Sequence, residues 1–251
     1  MTHPRDVLLG NAAFVALPVC DHYCGVYARM VKSLALQLEM AQEYGASVFD
    51  VTLDCEDGAP VGGEKEHALM VAELAQQAGS RSGLLRVAAR VHPVDHPAFE
   101  QDVNIVVGAA GAELCHLMLP KVESVEDVER AVTAIDRAVA STSRVNPLPL
   151  HVLIESPSAV QRVAQITAHP RVQSVSFGLM DFVSAHDGAI PDSAMGLGQS
   201  TDPEAWDQFT HPLVVRAKLE IAAACHAAGK VPSHCVVTEF RDVRVVESAA
   251  R

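Results

Sequence analysis

No apolar run in this 251-residue chain reaches the ~18–20 residues that a membrane-spanning helix needs. The N-terminus, MTHPRDVLLGNAAF, lacks a long apolar core followed by a small-residue cleavage site, so no signal peptide is read there. No GxGxxG follows the first strand-like run, and GxxxxGK[ST] is absent throughout. Both absences weaken a nucleotide-binding sheet. Basic residues are scarce: 19 Lys and Arg stand against 31 Asp and Glu, a formal net charge of −12. That balance argues against nonspecific nucleic-acid binding. It does not exclude an anionic small substrate, because a metal ion or one arginine can invert the local field. The six cysteines, at 20, 24, 55, 115, 225 and 235, form no CxxC pair. Four of them (55, 115, 225, 235) lie in or beside apolar runs, as small hydrophobes do in a reducing cytoplasm. Cys20, His22 and Cys24 lack a fourth ligand at a recognisable spacing, so a structural zinc site is not supported.

What is present is apolar and regular. Hydrophobic residues make up 49% of the chain, enough for a large core. The length suits one α/β barrel, so a single domain over 1–251 is expected, with no domain-scale linker. Strand-like runs alternate with helical patterns. AAFVALP (12–18) reads as the first strand, and SVFDVTLD (47–54) as the second. LLRVAARV (84–91), ELCHLMLP (113–120), PLHVLIE (149–155), VQSVSFG (172–178) and VPSHCVVTE (231–239) follow. Between them, Met30, Leu34, Leu38 and Ala41 recur at helical spacing up to a stop at Gly45. A second helix spans about 64–78 and ends at Gly79. Ser124, with Asp127 three residues on, caps a helix whose apolar face is Val125, Val128, Val132, Ile135 and Val139. Ala159, Val160, Val163 and Ile166 mark another, and 213–228 another, closed by Gly229. FRDVRVVESAAR begins one more. Repeated strand–helix alternation predicts parallel strands with crossovers, in a doubly wound sheet or a (β/α)8 barrel.

Polar groups recur where the apolar runs finish, and their spread over several strands favours the barrel, whose strand ends share one mouth. The second run ends in Asp54, Glu56 and Asp57, the third in Arg90 and His92. The fourth ends in Lys121 and Glu123, the fifth in Glu155, the sixth in Gly178 and then Asp181. Each has a plain alternative. Glu155 and Asp181 could be loop or cap residues, although Ser156 or Ser158 could cap the helix after Glu155. Glu56 and Asp57 could be loop carboxylates, and Lys121 could pair with Glu123 at a rim. His92 and His96, beside prolines, read as loop residues. Jointly the alternatives weaken, because Glu155 and Asp181 lie about one βα repeat apart. Two carboxylates suit Mg2+, a hard ion that keeps part of its water shell. Arg90 adds a planar cation that matches a carboxylate or a developing enolate oxygen.

VTLDCEDGAPVGGEK, ARVHPVDHPAFEQDV, LMLPKVES, VLIESPSAV and SVSFGLMDF, in this order and spacing, resemble the HpcH/HpaI aldolase and citrate lyase β-subunit superfamily, above all its CitE-like branch. The resemblance covers nearly the whole chain. It implies a TIM-type (β/α)8 barrel that binds Mg2+, with Mn2+ as the alternative ion, in a cytoplasmic homo-oligomer, a trimer or hexamer, with no nucleic-acid or membrane partner. It makes Glu155 and Asp181 the metal ligands. Arg90 would bind and polarise the oxo acid, with Glu56 and Asp57 holding waters of the ion and positioning the arginine. The backbone N–H groups after Gly178, at Leu179 and Met180, would meet the substrate carboxylate. The implied reaction is cleavage or formation of a carbon–carbon bond in a 3-hydroxyacyl-CoA-type thioester such as citramalyl-, malyl- or citryl-CoA. Its products are an acyl-CoA and a small oxo acid. Alternatives are an aldolase on free 2-oxo acids and a non-catalytic barrel that binds metabolites or partners. Three departures stand out. The first loop reads LPVCDH, not a VPG-like segment. The stretch 182–211 is long and rich in His and Gly, and is read as a lid or a specificity element. The chain also reaches Arg251 before an eighth strand, so a barrel truncated there is expected to leave its first and seventh strands unpaired.

Overall fold

A computed structural model describes residues 17–18, 20–81, 83–197, 206–237 and 241–249. Seven strands form one all-parallel sheet in sequential order: β1 (Cys20–Cys24), β2 (Phe49–Asp54), β3 (Val87–Arg90), β4 (Leu114–Leu119), β5 (Leu150–Ile154), β6 (Val172–Phe177) and β7 (Val231–Ser233). Helices α1 (Tyr27–Tyr44) and α2 (Glu64–Arg81) follow β1 and β2. After β3 comes α3, made of Phe99–Asp102, a π-helical turn Val103–Val107, and Gly108–Ala110. Then come α4 (Val125–Val139), α5 (Pro157–Ala168), α6 (Leu179–Ser184), α7 (Pro212–Ala227) and α8 (Val243–Ala249). Among the described residues, no helix is long and apolar enough to cross a membrane.

The strand period of two divides the side chains. On one face lie Phe49, Val51 and Leu53 of β2, Val87 and Ala89 of β3, Val152 and Ile154 of β5, and Val175 and Phe177 of β6. These pack with the helices into the hydrophobic core. The opposite face is polar: Asp21, Asp50, Thr52, Asp54, Arg90, His116, His151, Ser174 and Ser176 alternate along the strands with few apolar neighbours. This face curls in on itself. A flat sheet would hold β1 and β4 about 14 Å apart, yet His116 Nε2 lies 3.5 Å from Asp21 Oδ2.

Most helix signals are realised. Gly45 ends α1 in the left-handed region at φ 73, and Gly229 does so after α7 at φ 66. Ser124 and Asp127 make a reciprocal capping box on α4, worth about 1 kcal/mol. Ser156 accepts from the Ala159 N–H at the start of α5. The final helical pattern is α8.

Other expectations need correction. The first described strand is Cys20–Cys24; of the 12–18 run, 12–16 lie outside the described residues, and 17–18 are not strand. CDHYC earns its place by alternation, with Asp21 and Tyr23 turned to the polar face, so no apolar run announced it. Gly79 does not end α2, which continues to Arg81. A Cβ there would overlap the Glu113 side chain, so this glycine serves close packing, not termination. The seventh strand is shorter than 231–239, and 238–240 lie outside the described residues. The segment 99–110, to which the sequence reading assigns no element, is helical. All six cysteines are free, and Cys115 is half-buried, not buried. Part of the lid-like stretch, 198–205, lies outside the described residues.

Candidate active site

The C-terminal ends of β1 to β7 surround a cavity of about 800 Å3, lined in part by Tyr23, Asp57, Arg90, Glu155, Gly178 and Asp181. Glu56 stands directly behind it. The loop that carries Glu56 and Asp57 is anchored by the loop after β1. Gly25 and Gly58 pack backbone to backbone, and a Cβ on either would overlap the other.

Arg90, at the end of β3, is the most heavily bonded group. It donates from Nε to Asp54 Oδ1 at 2.7 Å and from Nη2 to Asp54 Oδ2 at 2.6 Å. Nη2 also reaches Asp57 Oδ2 at 2.6 Å, and Nη1 reaches Glu56 Oε2 at 2.8 Å. The register explains the fork, since Asp54 and Arg90 are paired residues on adjacent strands. The Tyr23 ring lies 5.0 Å from the guanidinium carbon. Burial works against the charge, but Asp54, Glu56 and Asp57 hold the Arg90 pKa above its ordinary value. The sequence marked Asp54 only as a strand-end acid; its clamp on Arg90 is a role the sequence reading missed.

Glu155 directly follows β5 and is 6% exposed. Its Oε2 accepts from the Lys121 N–H at 2.6 Å. Lys121 presents that amide from a left-handed backbone, φ 51. Its ammonium goes to Glu56 Oε1 at 2.8 Å and lies 4.0 Å from Asp181 Oδ1, so the rim pair with Glu123 does not form. Burial pushes the Glu155 carboxyl up to about 7; the Lys121 amide opposes this, and the charges of Asp181 and Glu56 add to it. Burial also raises the Glu56 carboxyl, against Arg90 and Lys121. Gly178 makes room: a Cβ there would overlap Oε1, Cγ and Cδ of Glu155. Asp181, in the first turn of α6, keeps its side chain 53% exposed.

A buried carboxylate with acidic neighbours, whose nearby ammonium at Lys121 is bonded to Glu56, is short of positive charge. Oxygen donors from Glu155 and half-open Asp181 fit a hard divalent ion that retains water. Asp50, Cys115 and His116 also bring donor atoms together. There Arg86 already meets Asp50, at 2.5 Å from Nε to Oδ1. A metal would face that guanidinium. His22 and Cys24 meet Ser33 Oγ instead of forming a metal group. His92 and His96 are not among the residues that line the cavity. His92 is not a plain loop residue, since it is buried, bonded from Nδ1 to Asp102 Oδ2 at 2.6 Å and stacked on His96.

Below the cavity runs a polar floor that the sequence reading also missed. His116 lies among Asp21, Asp50 and Thr52. Burial opposes its charge, but Cys115 and Asp21 raise its pKa well above the usual value. His151 is bonded from Nδ1 to Ser174 Oγ and from Nε2 to Ser176 Oγ, both at 2.7 Å. Burial and the neighbouring His116 depress its pKa to about 4, against Asp21. The signal was available as polar residues at period two inside strands read as apolar. A pH dependence follows. The unfolded chain protonates His151 near 6.5, before the folded one does near 4. Its stabilising contribution is therefore complete above about 6.5 and is lost as pH falls toward about 4, by up to about 3 kcal/mol. His116 acts in the opposite sense. Denaturant unfolding across this range should show a shallower acid loss in His151→Asn than in the wild type; parallel curves would refute a neutral His151.

A profile of the HpcH/HpaI aldolase/citrate lyase family matches residues 33–250. A crystal structure of a citrate lyase from Burkholderia xenovorans LB400 is 46% identical, with a TM-score of 0.81 over 95% of this chain and 70% of that one. An L-malyl-CoA/beta-methylmalyl-CoA lyase from Cereibacter sphaeroides is 29% identical over 225 residues, 84% of this chain. The chain spans 66% of the length of that relative. The citrate lyase beta subunit from M. tuberculosis, complexed with oxaloacetate and magnesium, shares the fold at 18% identity, with a TM-score of 0.65 over 93% of this chain and 85% of that one. The ordered strand-end polar residues and the family match over 33–250 agree: the chain belongs to the HpcH/HpaI aldolase/citrate lyase family.

Proposed function

We propose that the seven strands are the wall of a (β/α)8-type barrel forming a single domain, and that the protein is a Mg2+-dependent carbon–carbon lyase. It cleaves or forms a 3-hydroxyacyl-CoA-type thioester of the malyl, citramalyl or citryl kind, giving an acyl-CoA and a small oxo acid. The observation that carries this reading is buried Glu155, short of positive charge, sharing one cavity with Asp181 and the carboxylate-held Arg90. The family relatives named for malyl-CoA and citrate cleavage support it.

Glu155 and Asp181 would hold the ion, as the resemblance implied. Bound Mg2+ supplies positive charge that lowers the cost of negative charge developing on substrate oxygens. Arg90 binds the oxo-acid end and keeps its guanidinium plane fixed, because Asp54 takes two of its N–H groups. Glu56 and Asp57 hold the same arginine from the loop side. Gly178, Leu179 and Met180 form the wall beside the metal ligands. In cleavage, a base takes the proton of the substrate hydroxyl, which becomes a carbonyl as the carbon–carbon bond breaks. The bonding pair passes to the thioester enolate, which is then protonated.

Gly178→Ala tests the metal pair without removing a ligand. Displacing the Glu155 carboxylate is expected to weaken Mg2+ binding by about 10- to 100-fold with the fold retained, read by calorimetry and circular dichroism. Wild-type affinity would show that Glu155 does not depend on this space. The reaction itself is tested by presenting malyl-, citramalyl- and citryl-CoA, and free hydroxy-oxo acids, with and without Mg2+. Thioester cleavage that requires Mg2+ is expected; cleavage of free acids alone would turn the reading to an aldolase. We further propose a cytoplasmic homo-oligomer, a trimer or hexamer, which light scattering tests. Six unpaired cysteines suit a reducing compartment.

A further inference from the structure

Cys115, the second residue of β4, lies among cations near the N-terminal ends of the strands, and the reaction proposed above uses none of them. Its Sγ is 3.5 Å from His116 Nδ1. His116 is buried, and its Nε2 is 3.5 Å from Asp21 Oδ2, so a carboxylate stands behind the imidazole that faces the thiol. A nucleophile, a base and an orienting acid in sequence are the arrangement that activates a thiol. Two guanidiniums lie close by, Arg86 just before β3 and Arg144 between α4 and β5. Hydrogen bonding to Asp50 raises the Arg86 pKa, burial opposes it, and the charge of Cys115 adds to the rise. Burial lowers the Arg144 pKa, and the charge of Cys115 opposes this. The thiol is half-buried, so a small reagent can reach it.

The acids nearby are already bound. Asp50, with a carboxylate oxygen within 4.8 Å of the thiol sulfur, takes two bonds from Arg86. Asp21 is shared between His116 and the Thr52 hydroxyl. Arg171, which acts on Arg144, is bonded to Asp136. Arg144 differs. Its bonds run to the carbonyls of Gly111, Leu114 and Asn146, so among the described residues no carboxylate meets it. A partly buried guanidinium without an acid favours negative charge beside it. Cys115 is the side chain placed to supply that charge. The other thiols sit differently. Cys20 is the exposed one, yet burial and the charges of Asp21 and Asp50 raise its pKa. Burial raises those of Cys24, Cys55, Cys225 and Cys235.

We propose that Cys115 is a modification site: a thiolate held by His116 and Arg144, which hydroperoxides oxidise and small thiols then cap. The sulfur attacks the terminal oxygen of the hydroperoxide, the O–O bond breaks, and a sulfenic acid forms. The departing oxygen takes the proton that the Cys115 thiol gave up and leaves as an alcohol, or as water from hydrogen peroxide. A small thiol then attacks the sulfenic sulfur. Its proton leaves with the hydroxyl as water, and a mixed disulfide remains. A second thiol removes the cap by exchange.

The test compares cysteines within one protein and needs no variant. The reduced wild type is treated with limiting iodoacetamide at neutral pH, and the alkylated sites are quantified by peptide mass spectrometry. Cys115 is expected to react at least about tenfold faster than Cys20, the more exposed of the two, with a rate that rises at a pH below the ~8.5 of a free thiol. Hydrogen peroxide followed by dimedone is expected to label Cys115 before any other site, and peroxide followed by glutathione to leave its adduct there. Cys20 reacting as fast as Cys115, an inflection at ~8.5 or above, or a first dimedone label elsewhere would overturn the proposal. Arg144→Gln keeps amide donors for the carbonyls and removes the charge. In the folded variant, alkylation of Cys115 at neutral pH should slow by about threefold or more. An unchanged rate there would overturn the assignment of Arg144 as the counter-ion.

Discussion

Glu155→Ala is expected to lower Mg2+ affinity by at least about 100-fold and turnover with it, while the protein still folds. The two halves of that expectation have separate causes. The carboxylate is the better enclosed of the two proposed ligands, and half-open Asp181 alone would leave the ion mostly to water. Folding tolerates the change because Glu155 is poorly placed without a cation. It is buried, and the charges of Asp181 and Glu56 push its carboxyl toward the neutral form. Among the described residues, its direct hydrogen-bond donor is the Lys121 amide. Removing the carboxylate relieves the repulsion and orphans that amide, an effect of about 1–3 kcal/mol. Glu155→Gln retains an acceptor for the amide while removing the charge, so it should match or exceed the wild type in Mg2+-free thermal unfolding and still bind the ion poorly. Unchanged Mg2+ binding by calorimetry in both variants would take Glu155 out of the ligand set.

The candidate site was legible because chemistry interrupts an apolar pattern at strand ends, which survives any uncertainty about boundaries. Glu56, Asp57, Arg90, Glu155, Gly178 and Asp181 come from the ends of four strands, β2, β3, β5 and β6, and meet around one cavity or its immediate wall. What the sequence hid was what happens inside the strands. Asp54 looked like one acid among three, and only the β2–β3 register shows that its carboxylate faces the arginine fork. His116, His151 and Ser176 occupy alternate positions in runs dominated by their apolar neighbours, so the interior polar face disappeared into an average. β1 was obscured for the same reason: CDHYC has no apolar run, and its strand character rests on pairing with β2. Gly79 shows the converse error. A glycine near a helix end reads as a stop from sequence, but here the approach of Glu113 requires it and the helix runs on. Lys121 adopts a positive φ as the residue after Pro120, and nothing in its type marks it as the amide donor to Glu155.

Arg90→Lys should cost at least about 100-fold in kcat/KM and about 2–4 kcal/mol in stability, measured by steady-state kinetics and denaturant unfolding. The arginine meets Asp54 with two parallel bonds, meets Glu56 from Nη1, and meets Asp57 from the Nη2 it also gives to Asp54. The Asp54 and Glu56 side chains are only 3% and 7% exposed. An ammonium can approach one of these carboxylates well, but it cannot span the set, so at least one buried charge is left poorly paired. Asp54→Asn separates the roles. It preserves the shape and leaves the cation in place, but converts one acceptor to a donor that opposes the fork. If Asp54 acts by positioning Arg90, kcat should fall by about tenfold or more while Mg2+ affinity stays at the wild-type value. Joint loss of metal binding would instead make Asp54 part of the metal's own support. Should Arg90→Lys fold less stably yet turn over like the wild type, the arginine would be a structural counter-ion for three acids. The oxo acid would then owe its orientation to the Glu155–Asp181 side of the cavity alone.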